Sequence, residues 1–174
     1  MPLHMFITSV ATCMHMLLPV PYGDTIKKIS CQYHINPNVT AAIIRTESKF
    51  NPRSISNDPG GKSWGLMQVK LSTARYLGFN GRPKELFNPM VGIRLGVRYL
   101  VRQAHRFPYG WDAISAYNKG TPHWYRYKRA YANQTYVNRV NHNYMALIHL
   151  ERRLPSQDYV DKTLLRGTLY LSSR

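Results

Sequence analysis

Residues 39–50 read VTAAIIRTESKF, and this stretch carries the pattern that decides the fold. It is rich in residues that favour helix, and Val39, Ile43 and Glu47 stand four apart, with Phe50 three further on. Residues at these spacings share one face of a helix. The stretch therefore predicts a helix that carries a carboxylate on its apolar face.

The setting of Glu47 is typical of a carboxylic acid that donates a proton. A carboxylate against an apolar wall is disfavoured as an anion, so we expect the pKa of Glu47 to rise. A raised pKa lets a glutamic acid hold its proton near neutral pH and give it to a leaving oxygen. The alternative is a glutamate at the helix edge that reaches water or pairs with Arg45, and periodicity alone leaves both interpretations open.

The chain has only eight acidic residues, and each of the others has a structural explanation. Asp24, Glu85 and Asp112 fit helix starts, and Asp58 fits a turn. Glu151 fits a surface ion pair, and Asp158 and Asp161 lie in the tail. Among them Asp58, in the loop after Glu47, is the acid to examine as a second catalytic carboxylate.

The chain on either side of this stretch also reads as mostly helical, so the predicted fold class is mainly α. Further helices are predicted over 25–34, 65–77, 90–107, 112–118 and 136–153. Asp24 or Thr25 is the candidate cap of the first of them. Residues 53–64 read as a polar, glycine-rich loop, and no run of alternating apolar residues predicts a substantial sheet.

The length of 174 residues and the hydrophobic share of 44% fit one globular domain with short extensions. We expect an apolar N-terminal arm over 1–24, the domain over 25–153 and a tail over 154–174. The apolar part of the arm is too short and too polar for a membrane span, so none is expected. It also lacks the basic residues that precede a signal-peptide core. A docking segment is the preferred interpretation, and a weak signal sequence is the alternative.

The chain has 24 Lys and Arg residues but only 8 Asp and Glu residues, and the resulting net charge of +16 predicts a polyanionic partner. Nucleic acid, an anionic membrane face and the bacterial wall all fit. The basic aromatic run over 123–131, HWYRYKRAY, could stack on bases or on sugar rings. No nucleic-acid fold signature accompanies it, so a sugar-facing rim is preferred and nucleic acid is not favoured.

Metal and cofactor motifs are missing from the sequence, and neither a metal site nor a cofactor is expected. Cys13 and Cys31 form no metal motif, and whether they pair stays open. The histidines have no ligand spacing, although His142 and His149 stand seven apart and could share a helix face.

Four motifs in order make the chain resemble the soluble lytic transglycosylase (goose-type lysozyme-like) family. They are the ES pair at 47–48, GLMQ at 65–68, AYNKG at 116–120 and TYVNRV at 135–140. The resemblance covers residues 26–150 and leaves the arm and the tail uncovered. It implies a mostly helical, lysozyme-like fold with a saccharide groove.

The resemblance also implies a reaction. The family cuts the β-1,4 bond between N-acetylmuramic acid and N-acetylglucosamine in peptidoglycan without water and leaves a 1,6-anhydro sugar. One glutamate protonates the glycosidic oxygen and then takes the proton of the muramic acid C6 hydroxyl. Ordinary glycosidases need two carboxylates. The scarcity of acids here therefore favours a transglycosylase over a muramidase that hydrolyses the same bond.

The resemblance assigns Glu47 as the catalytic acid and base, and it implies a set of substrate-binding residues. They are Ser48, Ser56, Gly65, Leu66, Met67, Gln68, Tyr117, Asn118 and Tyr136. Ser48 is expected to help build the helix end, and Gln68 and the Gly65-Leu66 backbone are expected to line the groove. Tyr117 is expected near the Glu47 carboxylate, with Asn118 supporting that corner, and Tyr136 is expected to contribute from the last helix. The loop serine is the weakest match, and Ser54 or Ser63 could replace Ser56 in that role.

The biological setting is predicted less directly. Small basic transglycosylases that open the wall locally occur in phage virions and in secretion systems. The weak signal features favour a virion-associated protein that acts on the periplasmic wall during genome ejection, with residues 1–24 and 154–174 contacting other proteins of the assembly. The alternatives are an exported periplasmic enzyme and a non-enzymatic structural or nucleic-acid-binding component.

Overall fold

The computed structural model describes residues 9–14, 16, 18–58, 60–125 and 129–153. Its helices, in chain order, are α1 Val10–Met14, α2 Gly23–Gln32, α3 Pro37–Ser48, α4 Leu71–Tyr76, a 3-10 helix Pro83–Phe87, α5 Pro89–Arg106, α6 Gly110–Lys119 and α7 Gln134–Glu151. Its short strands are β1 Ile55–Asp58, β2 Gly61–Trp64, β3 Val69–Lys70, β4 Trp124–Tyr125 and β5 Ala130–Tyr131. The predicted mainly α fold class is confirmed.

Helix α3 lies at the centre of the core, as its apolar pattern predicts. Asn36 caps it by accepting a hydrogen bond from the Asn38 backbone N–H at 2.9 Å, and Pro37 occupies the first turn. Ile43 and Ile44 are fully buried, and the helix packs against α2 and α7. Burying each such side chain contributes about 1.5–3 kcal/mol, so packing rather than propensity holds α3 in place.

The prediction of a loop over 53–64 is wrong for residues 55–58 and 61–64, which form two paired antiparallel strands. Strands β1 and β2 pair with Ile55 opposite Trp64, and β3 adds a third strand with Lys70 opposite Ser63. The strands are short and half exposed, and even Ile55 is 49% exposed. A sheet with so little buried apolar surface leaves no alternating pattern in the sequence.

The helix predicted over 65–77 begins later than expected. Residues 65–68 form a turn, β3 follows, and α4 spans only Leu71–Tyr76. Gly65 and Gln68 have φ angles of 72° and 48°, which a right-handed helix does not accommodate. The glycine is required here, because a Cβ atom at this position would lie 2.3 Å from the Leu86 carbonyl oxygen.

The start of α2 also differs from its prediction. Neither Asp24 nor Thr25 caps it, because the helix begins at Gly23 after Tyr22, which has a φ of 62°. Asp24 instead lies in the first turn, where a negative charge interacts favourably with the helix dipole. The helix predicted over 90–107 is α5, which begins at Pro89, and Asn88 caps it by accepting a hydrogen bond from the Met90 backbone N–H at 2.9 Å.

The N-terminal arm is joined covalently to the domain. Cys13 of α1 and Cys31 of α2 form a disulfide with Cα atoms 5.7 Å apart, which settles the open question of their pairing. The predicted arm over 1–24 therefore includes a packed helix and the first residues of α2. Residues 1–8 and the tail over 154–174 lie outside the described residues. Within the described part of the chain, no helix has the length and apolar character that a membrane span requires.

Loss of this disulfide is expected to destabilise the fold. The bridge joins residues 18 apart, and closing a loop of that size contributes about 3 kcal/mol in the chain-entropy account. We expect reductant to lower the free energy of unfolding of the wild type by about that amount. The Cys13→Ser/Cys31→Ser variant should already show the loss and should not respond to reductant. An unfolding midpoint that ignores reductant in the wild type would contradict the prediction.

Candidate active site

A cleft of about 340 Å³ lies beside the C-terminal end of α3. This volume falls within the range of about 300–1,000 Å³ that is usual for small-molecule sites. Its walls come from α3, the three-stranded sheet, α4, α5 and α6. The lining residues are Glu47, Ser56, Ser63, Gln68, Val69, Lys70, Thr73, Tyr99, Tyr117, Asn118, Lys119 and Gly120.

The half-buried Glu47 carboxylate meets a hydroxyl from the last helix. The Tyr136 hydroxyl of α7 donates a hydrogen bond to Glu47 Oε1 at 2.8 Å. Burial raises the pKa of Tyr136 well above 10, the Glu47 charge raises it further, and the Arg139 charge partly opposes this. Tyr136 therefore keeps its proton across the neutral range and acts as a donor that fixes the orientation of the carboxylate.

Tyr117 provides a second protonated hydroxyl near this carboxylate. Its side chain is buried, and its hydroxyl donates a hydrogen bond to the Met67 carbonyl oxygen at 2.8 Å. Burial raises the pKa of Tyr117 well above 10, and the Glu47 charge is the next largest cause. The Tyr99 ring lies 5.4 Å from the Tyr117 ring, so the aromatic wall of the cleft is continuous.

Ser48 ties the end of α3 to the turn over 65–68. Its hydroxyl lies 2.8 Å from the Leu66 carbonyl oxygen and 3.1 Å from the Ile44 carbonyl oxygen. Ser48 is 8% exposed and lies outside the lining of the cleft. It therefore holds Glu47 and the turn at a fixed separation instead of facing the cleft.

Gln68 joins this turn to the hairpin. Its side-chain amide donates hydrogen bonds to the Gly65 carbonyl at 2.8 Å and to the Ser54 carbonyl at 3.1 Å. The Ser56 hydroxyl donates to the Gln68 side-chain oxygen at 2.8 Å. Three hydrogen bonds thus hold this one glutamine side chain, and they support its left-handed backbone conformation.

The predicted site residues fall into three groups. Five line the cleft, namely Glu47, Ser56, Gln68, Tyr117 and Asn118. Tyr136 contacts Glu47 from α7 without lining the cleft. The others, Ser48, Gly65, Leu66 and Met67, are buried behind it. The Leu66 and Met67 side chains, 1% and 0% exposed, lie in the core, so the backbone is the part of this turn that is available to line a groove, and the substrate-binding role of these residues stays a prediction.

Sequence reasoning missed Asn133, which positions one wall of the cleft. The Ser115 hydroxyl donates to its side-chain oxygen at 2.6 Å, and its amide donates to the Asn118 side-chain oxygen at 3.0 Å. Asn133 lies shortly before the TYVNRV motif at 135–140, and this proximity is the sequence feature that could have identified it as a site residue. The other lining residues outside the quoted motifs are Ser63, Val69, Lys70, Thr73 and Tyr99.

Within the basic aromatic run over 123–131, the short strands β4 and β5 pair with each other outside the cleft. Trp124 is 50% exposed, and its ring lies 4.9 Å from the Tyr131 ring, whose hydroxyl donates to Asp112. Burial, followed by this hydrogen bond, raises the pKa of Tyr131. Neither aromatic residue lines the cleft, and residues 126–128 lie outside the described residues. The sugar-facing rim therefore stays a prediction.

The chemistry available in the cleft is that of one carboxyl group among hydroxyls, amides and lysines. Among the lining residues that the structure describes, Glu47 is the one acid. The Asp58 side chain, the candidate second carboxylate, lies outside the described residues. The parts of the chain described here hold no group of three or more His, Cys, Asp or Glu side chains that could bind a metal ion.

The family model of the transglycosylase SLT domain matches residues 24–139. The membrane-bound lytic murein transglycosylase C of Histophilus somni is 38% identical over 114 residues, covering 57% of this chain and 31% of that protein. The transglycosylase of Enterobacteria phage PRD1 is 33% identical over 100 residues, covering 58% and 35%. Protein IpgF of Shigella sonnei is 29% identical over 112 residues, covering 61% and 74%. The chain thus spans about a third of the length of the first two relatives.

Solved structures are similar at the level of the domain. An inactive mutant of the lytic transglycosylase Slt from Pseudomonas aeruginosa is 28% identical with a TM-score of 0.50, covering 59% of this chain and 17% of that one. The 70 kDa soluble lytic transglycosylase of Escherichia coli is 25% identical with a TM-score of 0.50, covering 74% and 19%. The predicted lysozyme-like, lytic transglycosylase fold is confirmed.

Proposed function

Because the chain belongs to the transglycosylase SLT domain family, we propose that it is a peptidoglycan lytic transglycosylase. It cleaves the β-1,4 bond between N-acetylmuramic acid and N-acetylglucosamine and leaves a 1,6-anhydro end. The observation that supports this most directly is the Glu47 carboxylate, the one acid among the described lining residues, held by the Tyr136 hydroxyl at 2.8 Å.

A single carboxyl group suffices when the substrate supplies its own nucleophile. Protonated Glu47 donates its proton to the glycosidic oxygen as the bond from that oxygen to C1 breaks. The Glu47 carboxylate then takes the proton of the muramic acid C6 hydroxyl, whose oxygen bonds to C1. Glu47 ends protonated, as it began, and no water is consumed.

The products distinguish this reaction from hydrolysis. Digestion of purified peptidoglycan is expected to release muropeptides lighter by one water than hydrolysis products, measured by mass spectrometry. An Asp58→Asn variant should release the same products at a similar rate, because the reaction needs no second carboxylate. Reducing-end products, together with inactivity of Asp58→Asn, would establish the alternative reading, a two-carboxylate muramidase.

The Tyr136 hydroxyl is expected to contribute through the orientation of Glu47. We expect Tyr136→Phe to lower kcat by about 10- to 100-fold, since it removes one charge-assisted hydrogen bond worth about 1.5–3 kcal/mol. Tyr144→Phe is the matched control, because Tyr144 is a buried tyrosine of the same helix that lies outside the cleft lining. Equal activity in the two variants would show that the Tyr136 hydroxyl does not contribute to the reaction.

The setting in which the wall is cut is a further proposal. The similarity to the phage PRD1 transglycosylase supports a virion-associated protein that opens the wall locally. The Cys13–Cys31 disulfide supports action in an oxidising compartment such as the periplasm, which an exported enzyme would also reach. Detection of the chain in purified phage particles would support the first setting. Its confinement to the periplasmic fraction of phage-free cells would overturn it.

A further inference from the structure

A second groove of about 670 Å³ lies between α3 and α7. It shares no lining residue with the first cleft. Its lining residues are, however, close in sequence to Glu47 and Tyr136. On α3 and the residues after it these are Arg45, Thr46, Lys49 and Phe50, and on α7 they are Thr135, Asn138, Arg139, His142 and Asn143. The groove therefore adjoins Glu47 and Tyr136 on a side that the proposed reaction does not use.

The charge of this groove has one sign. The cations are Arg45 and Lys49 on one wall and Arg139 on the other, and the described lining residues include no acid. Arg139 stands three residues after Tyr136 on α7 and so on the same side of the helix, and its positive charge partly opposes the rise in the Tyr136 pKa. Such a groove attracts anions and concentrates them next to the carboxylate that does the chemistry.

A hydrogen bond between the two helices and a strained stretch of backbone shape this groove. The Asn143 amide donates a hydrogen bond to the Thr46 hydroxyl at 2.9 Å, which joins α7 to α3. Lys49 and Phe50 follow with φ angles of 52° and 63°, two successive left-handed residues without glycine. Backbone in this region is unfavourable for residues that carry a Cβ atom, and such strain concentrates at binding sites.

We propose that this groove binds the acidic peptide side chains of peptidoglycan, an inference that rests on the proposed function. These peptides are attached to the muramic acid units of the same glycan and carry free carboxylates. They are therefore the anions that a strand lying at Glu47 brings nearest to this wall. Cationic side chains pair with carboxylates, and the polar and apolar lining suits a short peptide.

Binding of the isolated peptides tests the groove without catalysis. Peptides released from sacculi by an amidase are titrated into the full-length Glu47→Gln protein, and binding is measured by calorimetry at low and high salt. Adding Arg45→Gln and Arg139→Gln is expected to weaken binding about tenfold, and salt should weaken it in the parent. Adding Lys28→Gln and Arg94→Gln removes the same charge from exposed positions outside both linings and should leave binding unchanged.

Rates on two substrates give a second readout. The wild type is expected to cut peptide-bearing glycan faster than amidase-stripped glycan, and Arg45→Gln/Arg139→Gln should reduce that ratio several-fold. Equal peptide binding by all proteins, or displacement of the peptides by short duplex DNA that binds more tightly, would overturn the proposal. If the wild type cuts neither substrate but the peptides still bind through the two arginines, the proposed activity fails while the groove proposal stands.

Discussion

Glu47→Gln is expected to lower the rate of peptidoglycan cleavage by about a thousandfold or more, since general acid and base steps each contribute about 10²–10⁴-fold. The amide has the same shape and can still accept the hydrogen bond that the Tyr136 hydroxyl donates to Glu47 Oε1. It cannot supply a proton to the glycosidic oxygen or take one from the C6 hydroxyl. The rate of muropeptide release, measured by chromatography and mass spectrometry, gives the result.

The control for this prediction is Glu85→Gln. Glu85 is an exposed acid of the 3-10 helix, lies outside the cleft lining and accepts a hydrogen bond from the Arg82 backbone N–H, which glutamine can also accept. Its rate should match the wild type, and both variants should unfold at the wild-type temperature. A Glu47→Gln protein that keeps a tenth of the wild-type rate would exclude Glu47 as the acid. A wild type that releases nothing would favour a binding or structural role for the fold.

Gly65→Ala is expected to lower the free energy of unfolding by about 3 kcal/mol or more, which places it among the severe single substitutions. Gly65 has a φ of 72°, and an added Cβ atom would lie 2.3 Å from the backbone oxygen of Leu86. A backbone atom of the 3-10 helix cannot move aside as a flexible side chain can. The turn that carries Gln68 must therefore shift or the packing must open.

Gly78→Ala separates the two causes of this loss. Gly78 has a φ of 84°, and nothing lies within 4 Å of a Cβ atom built there. This variant should lose only the conformational cost of about 1–2 kcal/mol for a left-handed residue. Denaturant unfolding of the two variants measures the difference that the clash contributes. Equal losses would show that Gly65 is needed for its backbone angle alone.

The central helix and its carboxylate could be predicted because their signals are local. Asn36, Pro37 and the four-residue spacing of apolar residues specify α3 within a few residues. The hairpin over 55–64 could not be predicted, since its half-exposed strands bury too little apolar surface to leave a pattern. The turn over 65–68 was missed for a different reason. The left-handed angles of Gly65 and Gln68 are imposed by packing against Leu86 and by bonds to the hairpin.

The site itself was only partly within reach of sequence reasoning. Residue type and motif order pointed to Glu47, Gln68 and Tyr117, and all three line the cleft. The motif resemblance also included Leu66 and Met67 among the substrate-binding residues, and since their side chains fill the core, only their backbone is available for that role. Asn133 was missed because its contacts, to Ser115 and Asn118, exist only once α6 and α7 have packed.

The hydrogen bond between Tyr136 and Glu47 joins positions 89 residues apart. Glu47 lies in the first third of the chain, whereas its partner belongs to the final described helix. During synthesis, Glu47 is therefore added to the chain long before Tyr136, whose hydroxyl orients the carboxylate. The two residues come into contact only when α7 packs against α3. The oriented carboxylate therefore depends on a contact between distant parts of the chain. A chain truncated before residue 134 would retain the ES and GLMQ motifs and remain inert toward the wall of the cell that makes it.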